Sequence, residues 1–248
     1  MKALPRSSFE LPERSVHVWT VRNPASISVA TYFEQHLSVD EKERAARFRL
    51  DYLRHSFIIT RGTLRCLLAR YLKLSPARIE FHYGPKGKPV LASGQGLEFN
   101  TAHSGDLAAF AFAVRCPVGI DVEQVRPLNE AKHIATELLC AEEAADMMSL
   151  SLPERQLALL LCWTRKEAYI KATGDGLSAR LKEVCVTLKP NEPARLRHLA
   201  GDEETAREWT LHDLTLASHY VAALAYRDLE RPLTVLPILD PTDLNCLP

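Results

Sequence analysis

No run of the sequence approaches the roughly 18 apolar residues that a membrane span requires, and the N-terminal stretch lacks the apolar core of a secretory leader. Both absences predict a soluble, cytoplasmic chain with no membrane partner. Neither sign of charge is in excess, with 31 Lys and Arg against 31 Asp and Glu. A nucleic-acid role driven by bulk positive charge is therefore unsupported. The six cysteines, Cys66, Cys116, Cys140, Cys162, Cys185 and Cys246, contain no C-x-x-C pair and no zinc spacing. Most lie in apolar runs such as Leu-Leu-Cys-Trp, so they read as buried, reduced thiols. No P-loop, G-x-G-x-x-G or kinase motif is present, which sets aside the common nucleotide-binding folds.

What is there suffices for a packed core: 248 residues with 46% hydrophobic content, enough for one large domain or two small ones. Residues 16–21 alternate like a strand, and Ser38 followed by Glu41 reads as a capped helix start. Residues 53–72 carry helical apolar spacing, residues 78–83 read as a strand, and Gly84-Pro-Lys-Gly-Lys-Pro reads as a rigid turn. Residues 97–100 and 107–114 form two strands of a hairpin, with 101–106 as a loop of small polar residues. The second half repeats the order: a helix over 157–173, a strand over 183–188, and a hairpin from 208–216 and 220–226. Matching landmarks, such as Ala109 with Ala222, are offset by roughly 105 to 113 positions, a weak self-similarity. The expected fold is α+β with two similar subdomains, each a long helix packed on a small antiparallel sheet. They span residues 1–115 and 116–228, and the Pro- and Leu-rich residues 229–248 are expected to be a poorly anchored tail.

Two clusters of charge carry the chemistry. Glu167 and Lys171 stand one helical turn apart, which suits a shared metal ion and phosphate but equally an ordinary surface salt bridge. Asp121 and Glu123 alternate with Ile120 and Val122 on a strand and project from one face. That pair is either a solvated outer face or a site for a hard cation such as Mg²⁺. Together the three carboxylates join Lys166 and Lys171, Lys86 and Lys88 in the Gly-Pro turn, and His103 in the small-residue loop. Such a set suggests a metal-bridged di- or triphosphate site. A basic stretch runs through Lys42, Arg44, Arg47, Arg49, Arg54, Arg61, Arg65 and Arg70, suited to an anionic ligand or an acidic partner, or simply a solvated helix face.

Gly119-Ile-Asp-Val-Glu and Trp163-Thr-Arg-Lys-Glu-Ala-Tyr-Ile-Lys-Ala-Thr-Gly resemble the two signature motifs of the Sfp-type 4′-phosphopantetheinyl transferases. Asp40-Glu-Lys-Glu-Arg-Ala, Gly87-Lys-Pro and Phe99-Asn-Thr-Ala-His-Ser-Gly extend the resemblance over roughly residues 38–190. The resemblance implies two α+β halves in a pseudo-twofold arrangement, with coenzyme A as substrate in the cleft between them. It implies transfer of the phosphopantetheine arm to a serine of an apo acyl, peptidyl or aryl carrier protein, with release of adenosine 3′,5′-bisphosphate. Fatty acid, polyketide and nonribosomal peptide pathways all supply such carriers. By the same resemblance Asp121, Glu123 and Glu167 hold Mg²⁺, with Mn²⁺ as the alternative. Arg44, Lys86, Lys88 and His103 contact the coenzyme A phosphates, and Asn100, Thr101 and Ala102 line that site through backbone. Lys166 and Lys171 lie near the pyrophosphate, and Glu167 is the general base, kept ionised by Lys171. Arg61 ranks below Arg44 as a phosphate contact, and Trp163 reads as a packing residue.

One departure stands out: the family loop commonly reads Ser-His-Ser, whereas here Ala102 precedes His103 and Ser104. The missing hydroxyl costs about 1 kcal/mol of affinity for the 3′-phosphate unless backbone amides or Ser104 offset it. The length predicts a pseudo-dimeric monomer in which one chain supplies both halves of the cleft. Two other classes stay open, a metal-dependent pyrophosphate hydrolase and a non-catalytic module binding coenzyme A or carrier proteins.

Overall fold

Two helices of 22 residues each, α3 (Asp51–Leu72) and α6 (Leu152–Thr173), divide the chain between them. The computed structural model describes residues 6–93, 96–127, 131–176, 181–238 and 240–244. Before and after α3 come β1 (Val16–Arg22), α1 (Ile27–Glu34), α2 (Val39–Ala46), β2 (Phe81–Tyr83), β3 (Pro89–Leu91), β4 (Leu97–Ser104) and β5 (Leu107–Val114). Around α6 lie β6 (Val118–Gln124), α4 (Ala131–Leu138), α5 (Ala141–Met148), β7 (Val184–Val186), β8 (Leu196–Leu199), α7 (Glu203–Arg207), β9 (Thr210–Leu214) and β10 (Tyr220–Tyr226). The order strand, short helix, long helix, small hairpin, large hairpin therefore occurs twice. The fold is α+β, as expected.

Each half builds a sheet of the same order. β4, β5 and β1 lie side by side, as do β9, β10 and β6, all antiparallel. Alternation along β5 explains the layering. Phe110 and Phe112 face the core under α3, with Trp19 and Leu67, while Ala109, Ala111 and Ala113 face the other sheet. These small side chains meet Val118, Ile120, Val122 and Leu224 between the sheets. A third core, with Ala158, Cys162 and Ala168, lies between α6 and the β6–β10 sheet, and Trp163 packs against it half-buried.

A buried ion pair recurs at the same place in each half. Glu41, third residue of α2, accepts from Ser38 N–H and from Arg65 of α3 at 2.6 Å. Arg65 also donates to the carbonyls of Pro76 and Ile79. Glu143, third residue of α5, accepts from Cys140 N–H and from Lys166 of α6 at 2.6 Å. The capping carboxylate thus satisfies a helix start and ties it to the long helix beneath.

The structure differs from expectation in three places. Residues 233–238 form β11 (Leu233–Ile238), which pairs in parallel with β1, and Arg70 donates to the Leu244 carbonyl. Buried Ile238 and Leu244 drive this docking, so this segment is anchored to the N-terminal half rather than loose. Residues 101–104 are strand, because they continue the β5 ladder to Ser104 opposite Leu107. Only Gly105 and Asp106 remain as the turn, with Gly105 at φ +54°. Finally, Cys116, Cys140, Cys162 and Cys185 are free and buried as expected, but Cys66 is disulfide-bonded. Cys246 lies outside the described residues. Among the described residues no helix is long and apolar enough to cross a membrane.

Cys140, Cys185 and His198 bring ligand atoms within 4.8 Å of one another. Nδ1 of His198 accepts from Gly201 N–H, which leaves the ring proton on Nε2, facing Glu142 at 3.6 Å. The imidazole then has no lone pair left for a cation, so this trio is not a ready metal site.

Candidate active site

Gly119 brings the two clusters of charge together. A Cβ there would fall inside the van der Waals envelope of the Ala168 carbonyl and the Ala172 amide, and 3.0 Å from Ala172 Cα. Only glycine lets β6 lie this close to α6, and Ala168 and Ala172 supply the matching small face of the helix. Asp121, two residues along β6, then meets Glu167 and Lys171 on the same side of α6.

Asp121 is 5% exposed and Glu167 8%. Lys171 Nζ donates to Asp121 Oδ1 at 2.7 Å. Asp121 Oδ2 and Glu167 Oε1 are buried with no hydrogen-bond partner. Glu123 accepts at Oε2 from the Ser104 hydroxyl at 2.8 Å. Burial pushes the Asp121 carboxyl up to about 7, against the pull of Lys171, with Glu123 and Glu167 adding to the rise. Burial raises Glu167 as well, opposed by Lys171 and aided by Glu123. Surrounding protein bulk, then Lys171, holds the His103 imidazole below its ordinary range despite its contact with solvent, Glu123 opposing.

Two orphaned, buried carboxylate oxygens are costly, and three carboxylates face one lysine. All the donors are hard oxygens. The residues present fit a hard divalent cation of the Mg²⁺ kind.

Beside this cluster a cavity of about 240 Å³ is lined by Arg44, Phe57, Arg61, Asn100, Thr101 and His103, among others. The Arg44 and Arg61 guanidinium carbons lie 5.4 and 6.0 Å from the centre of the Phe57 ring. Arg61 Nη1 and Thr101 Oγ1 are buried without partners. Burial lowers the Arg61 guanidinium, only partly countered by Glu41 at 3.6 Å. A desolvated arginine with an unsatisfied Nη1 beside an aromatic ring suits an anionic ligand. By sequence Arg61 ranks below Arg44 as a phosphate contact. The available signal was its place one helical turn before Arg65, whose pairing with Glu41 turns both arginines toward α2.

The structure gathers Arg44, Asn100, Thr101 and His103 at the cavity, and Asp121, Glu123, Glu167 and Lys171 at the carboxylate cluster. Ala102 is buried on β4. The Asn100 side chain is committed, its Oδ1 accepting from Ile120 N–H at 3.0 Å. Lys86 is exposed, with its Cβ and Cγ beside Gly176. Lys88 Nζ donates to the carbonyls of Lys171 and Ala172 at 2.6 and 2.9 Å, so it caps the end of α6. Burial lowers its ammonium, with Glu98 opposing.

Lys166, expected near the pyrophosphate, lies elsewhere. It is 0% exposed and donates to Glu143, to Leu138 O at 2.7 Å and to Leu181 O at 2.9 Å. One residue along a helix turns the side chain by about 100°, so Lys166 points under α5 while Glu167 faces β6. Its three protons are all in use.

Residues 117–225 match the model of the 4′-phosphopantetheinyl transferase superfamily, and residues 23–115 match that of the 4′-phosphopantetheinyl transferase N-terminal region. The chain is 37% identical over 213 residues to 4′-phosphopantetheinyl transferase HetI of Nostoc sp., covering 85% of this chain and 86% of that one. It is 28% identical over 156 residues to 4′-phosphopantetheinyl transferase Sfp of Bacillus subtilis, covering 63% and 68%. Among solved structures, Thermotoga maritima holo-[acyl-carrier-protein] synthase aligns at 22% identity with a TM-score of 0.37, covering 46% of this chain and 64% of that one.

Proposed function

The chain belongs to the 4′-phosphopantetheinyl transferase superfamily, and from that premise we propose that it transfers the phosphopantetheine arm of coenzyme A to a serine of an apo carrier protein. Asp121, Glu123 and Glu167 would hold a Mg²⁺ ion. The observation that carries this reading is the pair of orphaned, buried oxygens, Asp121 Oδ2 and Glu167 Oε1, beside a cavity where Arg61 Nη1 is buried without a hydrogen-bond partner.

When bound, the cation would polarise the pyrophosphate and neutralise its charge. Arg44, Arg61, His103 and Lys86 receive the phosphates at the nucleotide end. Arg61 can do so at little extra desolvation cost, because folding has already dried its guanidinium. Glu167 takes the proton from the carrier serine hydroxyl. Burial raises its basicity, and Lys171 opposes that rise. The serine oxygen bonds to the β-phosphorus of coenzyme A, the pyrophosphate P–O bond breaks, and adenosine 3′,5′-bisphosphate leaves. Lys171 meets the charge that develops there. Lys88 contributes by fixing the backbone of Lys171 rather than by touching a phosphate. One chain supplies both walls of the cleft, which favours a monomer.

Incubation with coenzyme A, Mg²⁺ and apo carriers of the acyl, peptidyl and aryl types, read by intact mass, tests the reading. We expect one phosphopantetheine arm on the serine of at least one carrier. No adduct on any of them refutes it, and release of phosphopantetheine to water without a carrier would replace it with hydrolysis.

A further inference from the structure

β4 and β6 run side by side in different sheets, and side chains rather than backbone join them. Asn100 Oδ1 accepts from Ile120 N–H at 3.0 Å, and Ser104 Oγ accepts from Gln124 N–H at 3.1 Å. The partners are spaced four residues apart on both strands, so two β4 side chains cap two β6 amides in register. Buried amides need such partners, and this explains Asn100 completely. Ser104 does more. Its hydroxyl proton goes to Glu123 Oε2 at 2.8 Å. With the oxygen occupied by the Gln124 amide, the hydroxyl has one proton and one direction in which to send it.

We propose that Ser104 is a positioning residue for Glu123, reserving Oε2 so that Oε1 is the oxygen offered to a divalent cation at the Asp121–Glu167 cluster. The inference rests on the reading of that cluster as a metal site. Three observations support it. Glu123 stands at the open end of the cluster, partly exposed, where a free carboxylate would sample several rotamers. Ser104 is the described hydroxyl bonded to it. Ser104 also follows His103, a lining residue of the phosphate cavity, so the two strands carry ligand and metal contacts in a fixed register. The hydroxyl expected to replace the missing Ser at 102 toward a phosphate is thus occupied by Glu123 instead.

The test is direct Mn²⁺ binding to the intact protein, followed by the electron paramagnetic resonance of free Mn²⁺ with coenzyme A present, alongside urea unfolding without metal. Ser104→Ala should weaken Mn²⁺ binding about tenfold, the effect of losing a hydrogen bond to a charged group. Ser104→Thr, which keeps the hydroxyl, should bind within about twofold of the parent on the same scale. The parent-like KM for coenzyme A should persist in both at saturating metal. In Glu123→Gln, adding Ser104→Ala should cause little further loss, because the two act through one contact. Unchanged Mn²⁺ affinity in Ser104→Ala, or a loss of stability with affinity intact, overturns the positioning role while leaving the metal site standing. Absence of any Mn²⁺ binding by the parent overturns both.

Discussion

Replacing Lys166 by methionine separates an architectural role from a catalytic one. The change keeps the length and volume of the side chain and removes its charge. It leaves the Glu143 carboxylate fully buried, still bonded to the amides of Cys140 and Val186 but with no cation. It also orphans the carbonyls of Leu138 and Leu181. Breaking a buried pair from one side costs about 3–5 kcal/mol, a large part of the 5–15 kcal/mol that holds a typical domain. With a urea m-value near 2 kcal/mol per M, the unfolding midpoint should fall by about 2 M. In the cold, where the variant stays folded, KM for coenzyme A should match the parent. Adding Glu143→Gln should recover part of the loss, because the uncompensated charge is then gone. A midpoint within 0.3 M of the parent on that scale, together with a large rise in KM for coenzyme A, would refute the reasoning and return Lys166 to the phosphates.

Other outcomes follow from the same geometry. The metal-free Asp121 carboxyl titrates at about 7, against 3.8 ordinarily. The folded state therefore keeps a proton that the unfolded chain releases, and stability is lost as pH rises from about 4 to about 7, by about 4 kcal/mol in all. Urea midpoints measured across that window should fall more steeply in the parent than in Asp121→Asn, and Mg²⁺ should flatten the parent's curve; identical slopes without metal would count against a buried, proton-holding Asp121. Gly119→Ala should cost upwards of about 3 kcal/mol or at least tenfold in turnover, since the added methyl forces β6 from α6; a fully active, fully stable variant would contradict the close contact. Arg61→Ala should raise KM for coenzyme A about tenfold with kcat nearly unchanged, as expected for loss of a charge-assisted bond; an unchanged KM would remove Arg61 from the phosphate site.

The parts of the site that are local in sequence were legible. Asp121 and Glu123 announce a shared face by alternation, Glu167 and Lys171 by one helical turn, and Ser38 with Glu41 a helix start. The repeated order of elements was visible because each half must bury one long helix on one sheet. What could not be read depends on contacts between distant segments. Nothing at Lys166 distinguishes it from Glu167 beside it until Glu143 is brought beneath the helix. The sequence 101–104 looks like a loop because its residues are small and polar. It is strand because β5 offers a ladder and Asn100 and Ser104 are needed by the amides of β6. Residues 229–248 look loose by composition, since prolines suit an edge strand as well as a tail.

That last strand sets the order in which the chain can be completed. β1 is made before β5 and pairs with it once β5 appears, yet its other edge waits for β11, made after the entire second half. Until then the backbone groups of residues 16–21 on that side are open to any passing extended segment. Val16 pairs with Leu233 across the whole second half, and such late, long-range pairing slows folding. The N-terminal half therefore reaches its finished form only after the second half has been made, and β11 is the strand that closes it.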